Sequence, residues 1–259
     1  MKSFRIINLI HSDPLYYGGR NKFNITRGST RENLEDVLKG KVDYSMISLV
    51  DYFKNRDTLK ILDAPTISGK GHSNSNLLIS RGEDPFPGMR VAVTSETETT
   101  AFYLKLILNK LFPNSVLIRN DSGKAEDLLQ EEQFALVIGN NALDVYKTDL
   151  RIIFDITHMI SKIFDLYSIY AVTVSLKETE YDPNLKELKN LEKWFITRHI
   201  DAISSDHNMS KSILRDYYNA ITYDFNDIMK KEVGIYSEMF NEIANDIFLQ
   251  DINEKTLKK

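Results

Sequence analysis

His11, Ser12, Ser48, Thr99, Thr100, Asn140 and Asn141 share a setting: each follows a short apolar run and stands where a helical pattern begins. Hydroxyl, carboxamide and imidazole groups there can donate hydrogen bonds beside the unpaired N–H groups of a helix start. That combination suits a small carboxylate. His11 can also take or release a proton near neutral pH, which makes it the candidate catalytic residue. The run Gly69-Lys70-Gly71-His72-Ser73-Asn74-Ser75-Asn76 adds Asn74 and Ser75 as substrate-binding candidates just before a strand. A bland role stays open at every position, because Ser, Thr and Asn are the preferred N-caps and a polar run with glycines is also a turn. Thr97-Glu98-Thr99-Thr100 holds more hydroxyls than one cap requires. Asp155 is expected to cap the helix that follows it.

Other chemistries lose support. The chain of 259 residues has no cysteine, which removes disulfides, thiolate ligands and thiol nucleophiles. Its five histidines (His11, His72, His158, His199 and His207) are scattered without ligand spacing, so neither a metal site nor a cofactor is expected. Gly-x-Gly-x-x-Gly, Walker, Gly-x-Ser-x-Gly and His-Glu-x-x-His patterns are absent. With 33 Lys+Arg against 37 Asp+Glu, no basic field exists to hold nucleic acid. No apolar run approaches the roughly 18 residues of a membrane span, and residues 1–10 do not read as a signal peptide. The expected partner is a small anionic metabolite and the expected compartment the cytoplasm.

The elements that must position these groups alternate short apolar runs with helical periodicities, the rhythm of an α/β protein with largely parallel sheets. Strands are expected at 4–10, 44–47, 59–62, 76–80, 90–93, 116–119, 134–138, 151–154 and 169–174. Ser29 with Glu32 signals a capping box and a helix ending at Gly40. Ala101, Leu104, Leu108 and Leu111 mark an apolar helical face opposite Lys105, Asn109 and Lys110. Beyond 174 the pattern is helical only, over 185–199, 210–220 and 227–248, with Trp194 on a packing face and a polar tail at 251–259. Residues 81–88, with two prolines and two glycines, are the expected lobe boundary. This gives one α/β lobe from 1–82 plus 174–259, including the C-terminal helices, and a second α/β lobe from 83–173. Residues 41–48 leading to Asp51 weakly echo 132–139 leading to Asp144, a likeness read as shared strand-to-helix grammar.

Taken in order, several segments resemble a known family. They are Pro14-Leu15; the run Val42-Asp43-Tyr44-Ser45-Met46-Ile47-Ser48-Leu49-Val50-Asp51-Tyr52; Gly71, Ser75 and Leu77-Leu78-Ile79-Ser80; Thr97-Glu98-Thr99-Thr100; Ala135-Leu136-Val137-Ile138-Gly139-Asn140-Asn141-Ala142-Leu143; Phe154-Asp155; and Arg215-Asp216-Tyr217-Tyr218 through Phe240. The family is that of the futalosine-pathway menaquinone-biosynthesis proteins, chorismate dehydratase-like. The resemblance implies the two-lobed fold of type II solute-binding proteins with a central cleft. The departures fall on pocket positions. His11 replaces an asparagine, Ser48-Leu49 replaces paired serines, Gly139-Asn140-Asn141 replaces Gly-Asp, and Phe164-Asp165-Leu166-Tyr167 replaces Thr-Gly-Leu-Pro. Two functions follow from the resemblance. One is a carbon–oxygen lyase that dehydrates a chorismate-like carboxylate held in the cleft. The other is a non-catalytic cytoplasmic binding protein of the same fold with a different small ligand.

Overall fold

A computed structural model describes residues 1–94, 97–190 and 193–248, without the side chains of 193–195. The Trp194 side chain and the 251–259 tail therefore lie outside the described residues. In chain order, β1 (Ser3–Ile7) buries Phe4 and Ile6 completely. A 3-10 turn at Ile10–Ser12 then enters α1 (Asp13–Gly19), where Pro14 costs nothing because first-turn amides have no helical partner. The polar β2 (Asn24–Gly28) precedes α2 (Thr30–Leu38). The expected capping box opens α2: Glu32 N–H donates to Ser29 Oγ at 3.2 Å and Ser29 N–H to the Glu32 carboxylate at 2.8 Å. Next come β3 (Tyr44–Ser48), α3 (Leu49–Asn55), β4 (Leu59–Ile61) and β5 (Ile67–Gly69).

The chain continues through β6 (Asn76–Ser80), β7 (Arg90–Thr94), α4 (Glu98–Leu111), β8 (Val116–Asn120) and α5 (Ala125–Glu131). There follow β9 (Phe134–Ile138), α6 (Gly139–Val145), β10 (Arg151–Asp155) and α7 (Ile156–Phe164). It ends through β11 (Ser168–Leu176), α8 (Asn184–Lys189), α9 (Lys193–His207), α10 (Lys211–Ala220) and α11 (Asp227–Ile243).

Two units result: Met1–Gly69 with Ile169–Val233, and Lys70–Ser168 with the chain from Gly234. The first holds a sheet of order β2-β1-β3-β11-β4, with β5 also on β11, and the second a sheet of order β10-β6-β9-β7-β8. Read from β8, the second repeats the first. In each, two parallel pairings (β2/β1/β3 and β8/β7/β9) are followed by an antiparallel strand, β11 or β6, and a further antiparallel strand, β4 or β10. The 41–48 and 132–139 segments thus hold equivalent places, as β3 and β9. Both sheets are mixed, so the expectation of largely parallel sheets is corrected. β6 and β11 enter their sheets from the segment that crosses between units, and an inserted strand runs against its neighbours.

The boundaries also differ from the expected 82/83 and 173/174. Residues 81–88 connect β6 to β7 within one sheet, the crossings lie at 69/70 and 168/169, and a third falls inside α11 at 233/234. Loop composition reports exposure but not which sheet receives a strand as apolar on both faces as β6. The expected helix over 185–199 is two helices, α8 and α9. The strands β2 and β5 were not expected, because their sequences carry almost no apolar period and ladder hydrogen bonds to β1 and β11 define them.

The second unit's core lies around Leu77, Ile79, Ala92, Leu128, Ala135 and Val137 on one face of its sheet. On α4 every residue from Thr99 to Leu108 is buried, including Lys105, which the helical pattern had put on a polar face. Phe102 and Tyr103 pack on Tyr236 and Phe240 of α11, so α4 is covered by a second layer besides its sheet. Lys105 Nζ donates to Ser115 O at 2.8 Å, and burial lowers its pKa. No helix among the described residues is long and apolar enough to cross a membrane.

Candidate functional site

In the first unit, β1 and β3 run parallel, so their carboxyl ends carry His11 and Ser48 to one edge of the sheet. His11 is half-buried, and its Nε2 is shut off from solvent with no hydrogen-bond partner among the described residues. Loss of hydration, which disfavours the cation, pushes its pKa down to about 4. At neutral pH it is therefore a neutral imidazole, able to accept a proton or a hydrogen bond but not to serve as a standing cation. Ser12, which precedes α1, makes no cap bond; its Oγ is buried and has no partner among the described residues. Ser48 takes the bland role, its Oγ accepting Asp51 N–H at 3.0 Å to cap α3.

Asp13 holds this edge from behind. Its Oδ1 lies 2.7 Å from Arg27 Nη1 and its Oδ2 2.6 Å from His207 Nε2, while burial pushes the carboxyl up against the pull of those two groups. His207, which had no partner at sequence level, thus has one, and His199 stacks on Tyr17 at 5.0 Å. The signal for these pairings is absent from the sequence, since Asp13 and His207 are 194 residues apart.

In the second unit the equivalent edge is formed by the ends of β7 and β9 and the start of β6, where Asn76 lies opposite Ile138. Asp155 organises it. One carboxylate oxygen accepts Ser73 N–H at 2.9 Å and Asn74 N–H at 2.7 Å, and the other accepts His158 N–H at 3.0 Å. The expected cap of α7 is therefore present, and the same carboxylate fixes the 73–76 turn. Asn74 has φ +58°, the left-handed conformation that asparagine tolerates better than most residues, and it accepts a long 3.4 Å bond from the Tyr146 hydroxyl. Asn76 Nδ2 donates to Ser73 Oγ at 3.2 Å and to Ser75 Oγ at 3.4 Å, and Thr100 Oγ1 donates to Asn76 Oδ1 at 3.4 Å. Gly139, with φ +57°, lets the chain turn from β9 into α6 while its N–H donates to Ser75 O at 2.8 Å.

Ser75, Asn74, Thr100 and Asn140 thus share one edge. Thr99 and Thr100 lie inside the first turn of α4, both buried, and Thr97 is the residue before the helix. Thr97 Oγ1 and Asn140 Oδ1 are buried without partners among the described residues. Asn141 departs from the group: it is exposed, and a β-carbon placed on Gly123 would lie 3.0 Å from its Nδ2. Sequence reasoning missed Ser73, Asn76 and Thr97 as members of the edge. Ser73 and Asn76 were legible only as parts of a turn, whereas Thr97 was quoted in the hydroxyl run but not selected. His72 stacks on His158 at 4.1 Å beside this turn. No cluster of three metal-ligating side chains occurs among the described residues.

A family model described as menaquinone biosynthesis matches residues 6–242. The chain belongs to that family. One relative, the chorismate dehydratase of Thermus thermophilus, is 31% identical over 110 residues, which are 42% of this chain and 40% of that enzyme. The match therefore spans two fifths of the relative's length. Among solved structures, a protein of Archaeoglobus fulgidus aligns at TM-score 0.71 with 13% identity, covering 93% of this chain and 97% of that one. The periplasmic aliphatic sulphonate binding protein of Escherichia coli aligns at TM-score 0.67 with 9% identity, covering 95% and 94%. The alkanesulfonate-binding protein of Xanthomonas axonopodis pv. citri, bound to MOPS, gives TM-score 0.67 and 9% identity over 93% and 92%. At such identities the likeness establishes the periplasmic-binding-protein-like fold and nothing finer.

Proposed function

We propose that this chain binds a small carboxylate and, as a cytoplasmic enzyme of menaquinone biosynthesis, removes water from chorismate. The observation that supports the reading is the set of buried, unpartnered polar atoms at the strand-end edges: Thr97 Oγ1 and Asn140 Oδ1 in the second unit, His11 Nε2 and Ser12 Oγ in the first. Buried polar atoms are nearly always hydrogen-bonded, so such atoms at a unit's strand-end edge leave hydrogen bonds that a small ligand there would complete. The Thr97, Thr99, Thr100 and Ser75 hydroxyls and the Asn74 and Asn140 amides would position the carboxylate, with Ser48 and Asn141 less engaged. Loss of water takes a proton from carbon and a hydroxide from a second position; His11 is the acid–base candidate, and since burial holds its pKa at about 4, its imidazole would take that proton only with a ligand's negative charge beside it to raise that value.

The reading rests on local donors, since a chain of formal charge −4 does not attract an anion by its overall field. Calorimetry with chorismate and with 3-hydroxybenzoate, followed by chromatography of the chorismate mixture, tests it. The expected outcome is binding of chorismate and its conversion to a product lighter by one water. Replacing Thr97 by Val and Asn140 by Leu together should weaken binding about tenfold or more, each lost hydrogen bond being worth about 0.5–1.5 kcal/mol. A folded double variant that binds as tightly as the parent, or a parent that binds no carboxylate, would overturn it. A non-catalytic binder is the second reading, favoured by His11 Nε2 having no partner among the described residues to which it could pass a proton. Tight binding without loss of water would select it.

A further inference from the structure

The 3-10 turn that carries His11 is held by two phenols from the far end of the first unit's sequence. Tyr218 Oη donates to Ile10 O and Tyr223 Oη to His11 O, each at 2.8 Å, across 208 and 212 residues of chain. Ile10 O also accepts the turn's own Asp13 N–H, so the Tyr218 bond is additional to what the backbone requires. Three residues after His11 stands Pro14, which has no N–H to give His11 O, and the Tyr223 phenol donates there. Tyr223 is itself rigidly mounted. Thr66 N–H donates to Tyr223 O at 3.0 Å, and Thr222 and Ser68 exchange hydrogen bonds of 2.7 and 3.1 Å on β5. Tyr218 sits on the buried face of α10 with Leu214 and Tyr217. Both phenols are nearly fully buried, and burial holds both far above the ordinary tyrosine range, so each stays a donor at every working pH.

We infer that Tyr223, supported by Tyr218, is a positioning residue that fixes the His11 main chain and keeps water from the imidazole. The inference rests on the reading of His11 as part of the site. Main-chain carbonyls at a turn are ordinarily satisfied by water, and here two buried phenols satisfy them instead. Removing the Tyr223 phenol oxygen frees His11 O for water, and the water that reaches it also reaches the His11 ring, whereas Ile10 O keeps the Asp13 N–H when the Tyr218 oxygen is lost. The charged groups near this turn are Asp13, Arg27 and His207. Asp13 is tied to the other two, so none of them is released by loss of a phenol.

The test is an NMR titration of the five histidines in the full chain, with the His11 signal assigned by its disappearance in His11→Gln. In Tyr223→Phe the His11 pKa should rise from about 4 towards 6.5 by about one unit or more. Tyr218→Phe should move it by less, because Ile10 O keeps its bond from Asp13 N–H. Tyr236→Phe removes an equivalent 2.8 Å phenol–carbonyl bond, to Tyr167 O, in the second unit and should leave His11 unmoved. An unchanged His11 titration in folded Tyr223→Phe and Tyr218→Phe would overturn the inference, as would an equal shift in Tyr236→Phe, which would mark general loosening. Chorismate affinity and turnover, measured in parallel, separate this inference from the reading beneath it. If His11→Gln leaves both unchanged, the site role of His11 fails whatever the tyrosines do. If His11→Gln abolishes turnover while Tyr223→Phe retains parent kinetics and parent titration, only the positioning role fails.

Discussion

At the scale of single residues, His11 decides most. A histidine that is neutral in the folded protein to about pH 4 but titrates near 6.5 when unfolded leaves the unfolded state holding more protons between those values. Stability contributed by the group is therefore whole above pH 6.5 and declines as pH falls towards 4, by on the order of 3 kcal/mol in total. Urea unfolding at intervals from pH 7 to 4.5 should show this slope in the parent and lose most of it in His11→Gln. Equal slopes would mean that the ring is hydrated. The carboxylates of Asp36 and Asp43 are held below their ordinary range, by a hydrogen bond from Lys41 and by bonds from Ser3 respectively. Their contributions fade at lower pH; His199, which burial also lowers, and Asp13, which burial raises, change within the histidine window in parent and variant alike, so the difference between the two slopes isolates His11.

Among the elements, the β10–α7 junction carries the heaviest local duty, because one carboxylate caps a helix and fixes a turn. Asp155→Ala would remove the acceptor of His158, Ser73 and Asn74 N–H groups together. A lost N-cap costs about 1 kcal/mol, and each buried donor left unsatisfied adds about 1 kcal/mol or more. The expected loss of stability is thus about 2–4 kcal/mol in thermal or urea unfolding, against about 1 kcal/mol for Ser48→Ala, whose oxygen serves only the α3 cap. Amide exchange should quicken at residues 73–76 in Asp155→Ala even where the rest of the second unit stays protected. If the two substitutions cost the same, Asp155 is a cap and nothing more.

For the molecule as a whole, the crossings at 69/70 and 168/169 make each sheet depend on distant sequence. β11 lies inside the first sheet, bonded to β3 on one side and β4 on the other, and it follows the whole of the second unit's main segment. A chain ended at residue 168 would leave β4 and β5 with no strand to pair with and β3 with an open edge. Its β1 and β3 amides are expected to exchange within the time that unfolded peptide does, whereas the full chain protects them. Protection persisting in the shortened chain would show that β2-β1-β3 with α2 folds alone.

The division between sequence and tertiary structure runs along the range of the interactions. Capping boxes, strand runs and helix starts are local: Ser29 with Glu32, the Asp155 cap and nearly every apolar strand were legible because neighbouring residues alone create the signal. Thr100 and Asn140 stand at one edge because the parallel strands β7 and β9 end on the same side, whereas Ser75 reaches that edge at the start of β6, whose antiparallel course no local pattern announced. Which sheet takes β6 was not, because a run apolar on both faces fits either. Lys105 was misplaced because the helical period reports one packing face and α4 is covered on two. The partners Asp13–His207, Tyr223–His11 and Asp155–Ser73 join residues 82 to 212 apart. No local pattern encodes them, and they exist only once the sheets have brought those backbones within reach of a single hydrogen bond.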